Sequence, residues 1–344
     1  MRWTGEPGYA DPDAALVAAA AAWRASIDPN DLRRIVESLP APRSRLHAPR
    51  AMAATDELIL TAWAAAGWNV ERQELHLQNV AGTLDTRLRY TPHVYDRLDG
   101  VNLVAQLPGE SRDAIVVVAH HDTVLGSPGA DDNGAGVAVL LELARLFAGR
   151  RLRRTVVLAA PDFEELGLIG SRYLVPWLQD RHRVIGAIVF DAIGYMDSAP
   201  NSQRIPPGVS TLYPRQIRRL RERAGAGDMV TAIYRDSSAR LVSEWGRCLA
   251  ATLGRERVLL LRDPVDLPLV GRLAARVPAA RNFSRSDHVS FWRAGLPAIH
   301  VTDTAPFRNP DYHLPGDTPD TLDYVTLADI VATTALVIER LAGA

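Results

Sequence analysis

"VVVAHHDTVLGSPGADDNGAGVAVLLELARLF", residues 116–147, sets an apolar run against an amphipathic one and fills the seam with two histidines, three aspartates and an asparagine. The first run, 114–120, has strand length and no polar alternation, as in a strand covered on both faces. The second repeats its apolar residues at helical spacing over 134–148. A strand, a glycine-bearing turn and a helix in this order form the unit of an open α/β sheet, and such sheets bind ligands beyond their strand ends.

The same grammar extends in both directions. Further extended segments are predicted at 86–92, 101–107, 154–163, 184–192, 257–263 and 296–302, with helices at 168–179, 237–253 and 323–342. The first 70 residues read instead as helices at 12–24, 28–39 and 48–66. This is an α/β protein with a three-layer plan, one domain over 1–344 and an N-terminal helical segment over 1–70. The Pro-, Gly-, Ser- and Arg-rich stretch 197–236 and the Pro-punctuated stretch 263–281 predict an insertion or lid-like region within 197–281 that borders the core.

Composition narrows the chemistry. The 344 residues carry a formal net charge of −1 with both signs mixed along the chain, which offers no electrostatic footprint for nucleic acid or an anionic membrane. All 39 basic residues are arginine. Without lysine there is no Schiff base and no phosphate-binding loop of the Gly-Lys-Ser/Thr type. Cys248 lies on an apolar helical stretch and reads as a packing thiol. The run 14–23 follows no basic segment and reads as an alanine-rich helix rather than an export signal, so the expected location is cytoplasmic, with no membrane span.

Candidate chemistry gathers where apolar strands stop. His120 and Asp122 are two apart at a strand end, so both side chains aim the same way and the carboxylate can hold the second imidazole nitrogen. His121 points elsewhere and reads as structural. Asp132 sits in a glycine-flanked turn that can bring it close to His120; from the residues alone, Asp131, Asp132 and Asn133 equally suit capping of the next helix. Glu164 and Glu165 end the strand 154–163, where paired carboxylates are costly unless a cation or proton compensates them. Asp191 ends the strand 184–192, and His313 stands in a loop before the last helix. Two imidazoles with three carboxylates and no thiolate suit a hydrolytic zinc pair, with Co2+ or Mn2+ as possible substitutes. Such a pair shares one carboxylate and activates water between its ions.

The motifs "HHD" (120–122), "GADDN" (129–133), "EELGLIGS" (164–171), "FDAIGY" (190–195), "SDH" (286–288) and "YHLPGDTPDTLD" (312–323) closely resemble those of the co-catalytic zinc aminopeptidases of metallopeptidase family twenty-eight, peptidase clan MH. The resemblance runs from about residue 30 to the C-terminus, in order. It implies a three-layer α/β/α zinc-peptidase fold, phosphorylase/hydrolase-like, with a central mixed, mostly parallel sheet. It implies two Zn2+ ions, one held by His120 and Asp191, the other by Glu165 and His313, with Asp132 as the bridge. Glu164 becomes the general base and Asp122 the residue that orients His120. Asp287, His288 and Tyr312 fall at substrate-binding or neighbouring positions, and Arg285 and Arg308 are further candidates for a substrate carboxylate. Ala135 and Leu314 depart from the family's usual Ser and Thr without removing a ligand.

The implied activity is a metallo-aminopeptidase acting on a peptide or aminoacyl-amide substrate; oligomeric state and preferred N-terminal residue are left open. Two alternatives stand beside it. Glutaminyl cyclase-like and carboxypeptidase-like relatives share the fold, and metal stoichiometry with a substrate panel separates them. A non-catalytic peptidase-like binding module would show lost ligands or a lost base, and none is lost here.

Overall fold

The computed structural model describes residues 8–84, 91–267, 271–276 and 278–343. Three helices open it: α1 (Ala14–Ala25), α2 (Pro29–Ser38) and α3 (Pro49–Ala65). Asp13 caps α1 by accepting the Leu16 amide at 2.8 Å, and Asp28 with Pro29 at the first turn starts α2. An antiparallel hairpin follows, β1 (Asn69–Thr83) and β2 (Pro92–Leu107). The strand expected at 86–92 lies outside the described residues except for its last two, and β1 was not anticipated. The chain then runs β3 (Ser111–Val118), α4 (Ala135–Leu146), β4 (Arg154–Ala160), α5 (Ile169–Arg181) and β5 (Arg183–Phe190). It continues with α6 (Pro214–Glu222), β6 (Val230–Tyr234), α7 (Ala239–Leu253), β7 (Val258–Arg262), α8 (His288–Arg293), β8 (Ala298–Thr302) and α9 (Tyr324–Ala342).

The eight strands form one mixed sheet in the order β1-β2-β4-β3-β5-β8-β6-β7. Its centre, β4-β3-β5-β8, is parallel, while β2 joins β4 and β6 joins β8 antiparallel. Alternation along β3 feeds two separate cores. Ile115 and Val117 pack with α4, α7, α9 and the N-terminal helices; Ala114, Val116 and Val118 pack with α5, α6 and α8. The three-layer α/β reading therefore holds. No described helix is long and apolar enough to cross a membrane.

The segment 197–281 does not sit apart from the core as a unit. Its β6, α7 and β7 extend the sheet beyond β8, and α6 covers the face they present. Its Gly-rich connections and the arginine-rich α6 hid a five-residue strand at 230–234.

The parallel centre aims the carboxyl ends of β3, β4, β5 and β8 at one sheet edge. His120 follows β3, Glu164 and Glu165 follow β4, Asp191 follows β5, and the chain beyond β8 leads to His313. Open α/β sheets place their sites at this edge.

Candidate metal centre

The GADDN turn is bent by its glycine and pinned from three sides. Gly129 has φ 64°, and a Cβ there would meet Thr123 Cγ2 at 2.3 Å, so the turn needs glycine. The Asp131 and Asp132 amides donate to the two carboxylate oxygens of Asp317 at 2.8 and 3.2 Å. Asn133 Nδ2 donates to the Phe190 carbonyl at 2.7 Å, tying the turn to the end of β5. Asp131 accepts from the Gly194 amide and from Asn309 Nδ2, and α4 begins without a side-chain cap. The capping alternative for these acids is thereby excluded, and the Asp132 carboxylate faces the strand ends.

There its two oxygens divide. Asp132 Oδ1 lies 3.2 Å from His120 Nε2, and Asp132 Oδ2 lies 3.0 Å from His313 Nε2. Asp191 Oδ1 is 3.9 Å from His120 Nε2, and Glu165 Oε2 is 3.6 Å from His313 Nε2. Three overlapping sets, His120–Asp132–Asp191, Asp132–Glu165–His313 and His120–Glu164–Glu165, each bring their donor atoms within 4.8 Å of one another. Donors about 2.0–2.1 Å from a tetrahedral zinc stand about 3.4 Å apart, which these separations bracket.

The same atoms pass a second test of fit. His120 Nε2, Asp132 Oδ1 and Glu165 Oε1 are buried without a hydrogen bond of acceptable geometry, although the first two are close. Such atoms point at a shared space rather than at each other, and buried polar groups left so are costly unless something else binds them. Charge points the same way. Asp122, Asp132, Glu164, Glu165, Asp191 and Asp287 set six carboxylates against the two imidazoles. Burial, with the negative charges of Asp191, Glu165 and Asp287, pushes Glu164 well above the usual carboxylate range against the pull of His120. Glu165 rises likewise through burial and Asp132. Asp132, despite its burial, is held below the usual range by His120 and His313. The residues therefore fit divalent cations.

The surroundings explain how these groups are held. His120 Nδ1 bonds the backbone carbonyl of Asp122 at 3.2 Å, with the Asp122 carboxylate slightly farther at 3.4 Å. That carboxylate instead accepts the Glu164 and Glu165 amides, each at 3.2 Å, so it fixes the β4 turn as much as the imidazole. His121 turns the other way and bonds the Pro161 carbonyl and Asp56 of α3, both at 3.0 Å, which gives it the structural part expected. His313 adopts φ 60°, uncommon for a non-glycine residue, and stacks on Tyr312 with ring centroids 3.8 Å apart.

Of the remaining candidates, Tyr312 and Arg285 line a cavity that opens beside Asp191. Asp287 and His288 are fully buried behind it. His288 Nε2 bonds the Phe283 carbonyl at 3.0 Å and its ring stacks on His300, so it serves packing rather than presenting a polar edge to the cavity. Burial raises Asp287 to about 7, against the pull of His120. Arg308, a candidate for a substrate carboxylate, is buried and directs donors to the Met229 carbonyl and Gln203.

Two residues of this centre have no role assigned from the sequence. Asp317 lies within a quoted motif but had no assigned role. Arg43, 1% exposed, stands between α2 and α3 and clamps the two loops that carry His120 and Asp132. It donates to the carbonyls of His121 (3.0 Å), Pro128 (3.0 Å) and Gly129 (2.7 Å). Burial lowers its guanidinium to about 10, and the acids Asp317, Asp122, Asp132 and Glu165 limit the fall. Arg43→Met leaves several buried carbonyls unpaired and should cost about 3 kcal/mol or more. The expected readout is a lower urea midpoint at unchanged slope, partly recovered in Arg43→Lys; an unshifted midpoint would refute the clamp.

Comparison with known proteins follows the same lines. The model of peptidase family M28 matches residues 102–238 and 268–338. The uncharacterized protein YfbL of Escherichia coli K12 is 33% identical over 244 residues, 67% of this chain and 68% of that protein. A probable zinc metalloprotease of Leptosphaeria maculans is 29% identical over 214 residues, 59% of this chain and 46% of that protein. The fold is that of BSAP, a zinc aminopeptidase from Bacillus subtilis, with a TM-score of 0.66 at 16% identity over 91% of this chain and 95% of that one.

Proposed function

The chain belongs to peptidase family M28, and on that premise we propose that it is a zinc-dependent aminopeptidase that removes N-terminal residues from peptides. The observation that carries this reading is the split of the Asp132 carboxylate, one oxygen toward His120 and the other toward His313. In it, His120 and Asp191 would hold one zinc ion and Glu165 and His313 the other, with Asp132 serving both. Zinc held there would supply Lewis acidity for the scissile carbonyl and for water.

The chain's own residues supply the rest. Glu164, 7% exposed and next to Glu165, takes the proton of the attacking water and returns it to the departing amine. Distance alone also allows Glu164 as a ligand, since it falls within one donor set with His120 and Glu165; the family resemblance favours the base. Asp122 keeps Glu164 and Glu165 in register through their amides and sets His120 through its own carbonyl. Tyr312 borders the cavity beside Asp191, where a donor can meet the developing oxyanion.

The test is a dialysed, zinc-restored sample given one peptide with a free and one with an acetylated N-terminus. Mass spectrometry should show stepwise loss of N-terminal residues from the free peptide alone. Cleavage of both, cleavage from the C-terminus, or cyclisation of an N-terminal glutamine without hydrolysis would reject the reading. Chelation with a dipicolinate-type reagent should abolish turnover, and zinc should restore it.

A further inference from the structure

A fully buried carboxylate, Asp162, stands two residues before Glu164 and takes no part in the chemistry above. Its Oδ1 accepts the Phe163 amide at 2.9 Å, and its Oδ2 accepts the Val101 amide of β2 at 3.1 Å and Arg45 Nε at 2.6 Å. The neighbouring chain makes room for this residue: a Cβ at Gly100 would meet Asp162 Oδ2 at 2.8 Å, and one at Gly170 would meet the Asp162 carbonyl oxygen at 2.1 Å. Arg45, in the connection between α2 and α3, reaches further with Nη2, 2.9 Å from Asp56 Oδ1, the same oxygen that His121 Nε2 approaches at 3.0 Å. One guanidinium thus ties the β4 turn to α3 and to the residue beside His120. Arg45, Asp122, Asp162 and Glu165 also line one narrow cavity, so this brace lies against the turn that carries the glutamates.

A buried ion pair by itself adds little to stability, since apolar residues of like volume often serve a fold as well. What it supplies here is direction. The β4 turn passes through Phe163 at φ 55°, uncommon for a non-glycine residue, and then carries two adjacent acids whose charges repel. We propose that Arg45 is a positioning residue of the metal centre: through Asp162 it sets the β4 turn so that Glu165 reaches its ion and Glu164 the attacking water. The proposal rests on the two-ion aminopeptidase reading for the parts those glutamates play. Arg45 is not placed to bind substrate itself, being 14% exposed with Nε and Nη2 both engaged. Arg43, two residues earlier, grips the loops of His120 and Asp132, so the stretch 43–45 braces three of the loops that meet at the centre.

Titration of the metal-free protein with zinc against a chromogenic chelator tests this in the parent, Arg45→Met and Arg45→Lys. Arg45→Met should weaken one of the two zinc-binding steps by about 10–100-fold and leave the other as in the parent. At saturating zinc its kcat should fall by a similar factor with KM little changed. Arg45→Lys should recover part of both, since an ammonium can meet Asp162 but lacks the fork that also holds Asp56. Where Arg45→Met does not fold, Arg45→Met/Asp162→Asn removes the unpaired buried charge and carries the same expectations. A lower urea midpoint with parent zinc affinities or parent kcat would leave Arg45 a purely structural residue and overturn the proposal, as would equal weakening of both zinc steps. A selectively weakened step, in a protein whose parent releases no N-terminal residue, upholds the positioning role and rejects the aminopeptidase reading alone.

Discussion

Glu164→Gln is expected to fold, to keep its zinc and to lose about 10²–10⁴-fold in kcat, which is roughly 3–5 kcal/mol of barrier. The amide is nearly isosteric with the carboxylate and keeps the β4 turn intact, because Asp122 grips that turn by the backbone amides of Glu164 and Glu165 rather than by their side chains. What disappears is the group proposed to carry a proton from water to the leaving amine. KM should change little, since the proton carrier acts mainly in the transition state. Unchanged turnover would remove Glu164 from the mechanism. Loss of zinc together with turnover would make it a ligand, as its place in a donor set with His120 and Glu165 permits.

Asp132→Ala is the second large effect. Because the two carboxylate oxygens serve different imidazoles, deleting the side chain removes a donor from both sites at once. Zinc per chain, measured by atomic absorption after dialysis, should fall from about two in the parent to well under one, and turnover should vanish. His313→Ala supplies the contrast, since the set of His120, Asp132 and Asp191 stays whole and one ion should remain. Equal zinc loss in the two variants would mean that the sites are not joined through Asp132.

The sequence announced the sheet edge because the relevant pattern is local. Apolar runs that stop at His120, Glu164 and Asp191 are visible residue by residue, and strand alternation alone told His120 from its neighbour His121, whose ring turns to Asp56 and Pro161. Asp132 was ambiguous between cap and site, since the deciding contacts come from Asp317 and Phe190, far along the chain. Arg43 was invisible for the same reason: its carbonyl partners lie 78 to 86 residues downstream, and in a protein whose only long cation is arginine nothing marks one arginine out. β1 escaped because most of its side chains are exposed, which erases the apolar signature of an inner strand. β6 is short and pairs antiparallel with β8 across about 70 residues, a long-range choice that periodicity does not encode.

The central claim is that these acids and imidazoles converge to hold two ions through one shared carboxylate. A crystal of the zinc-restored protein, measured on both sides of the zinc absorption edge, tests it most directly. The account predicts two anomalous peaks about 3.5–4 Å apart, one within bonding distance of His120 and Asp191, the other of Glu165 and His313, with an Asp132 oxygen on each. A single peak, or a pair that leaves Asp132 unbound, would contradict it.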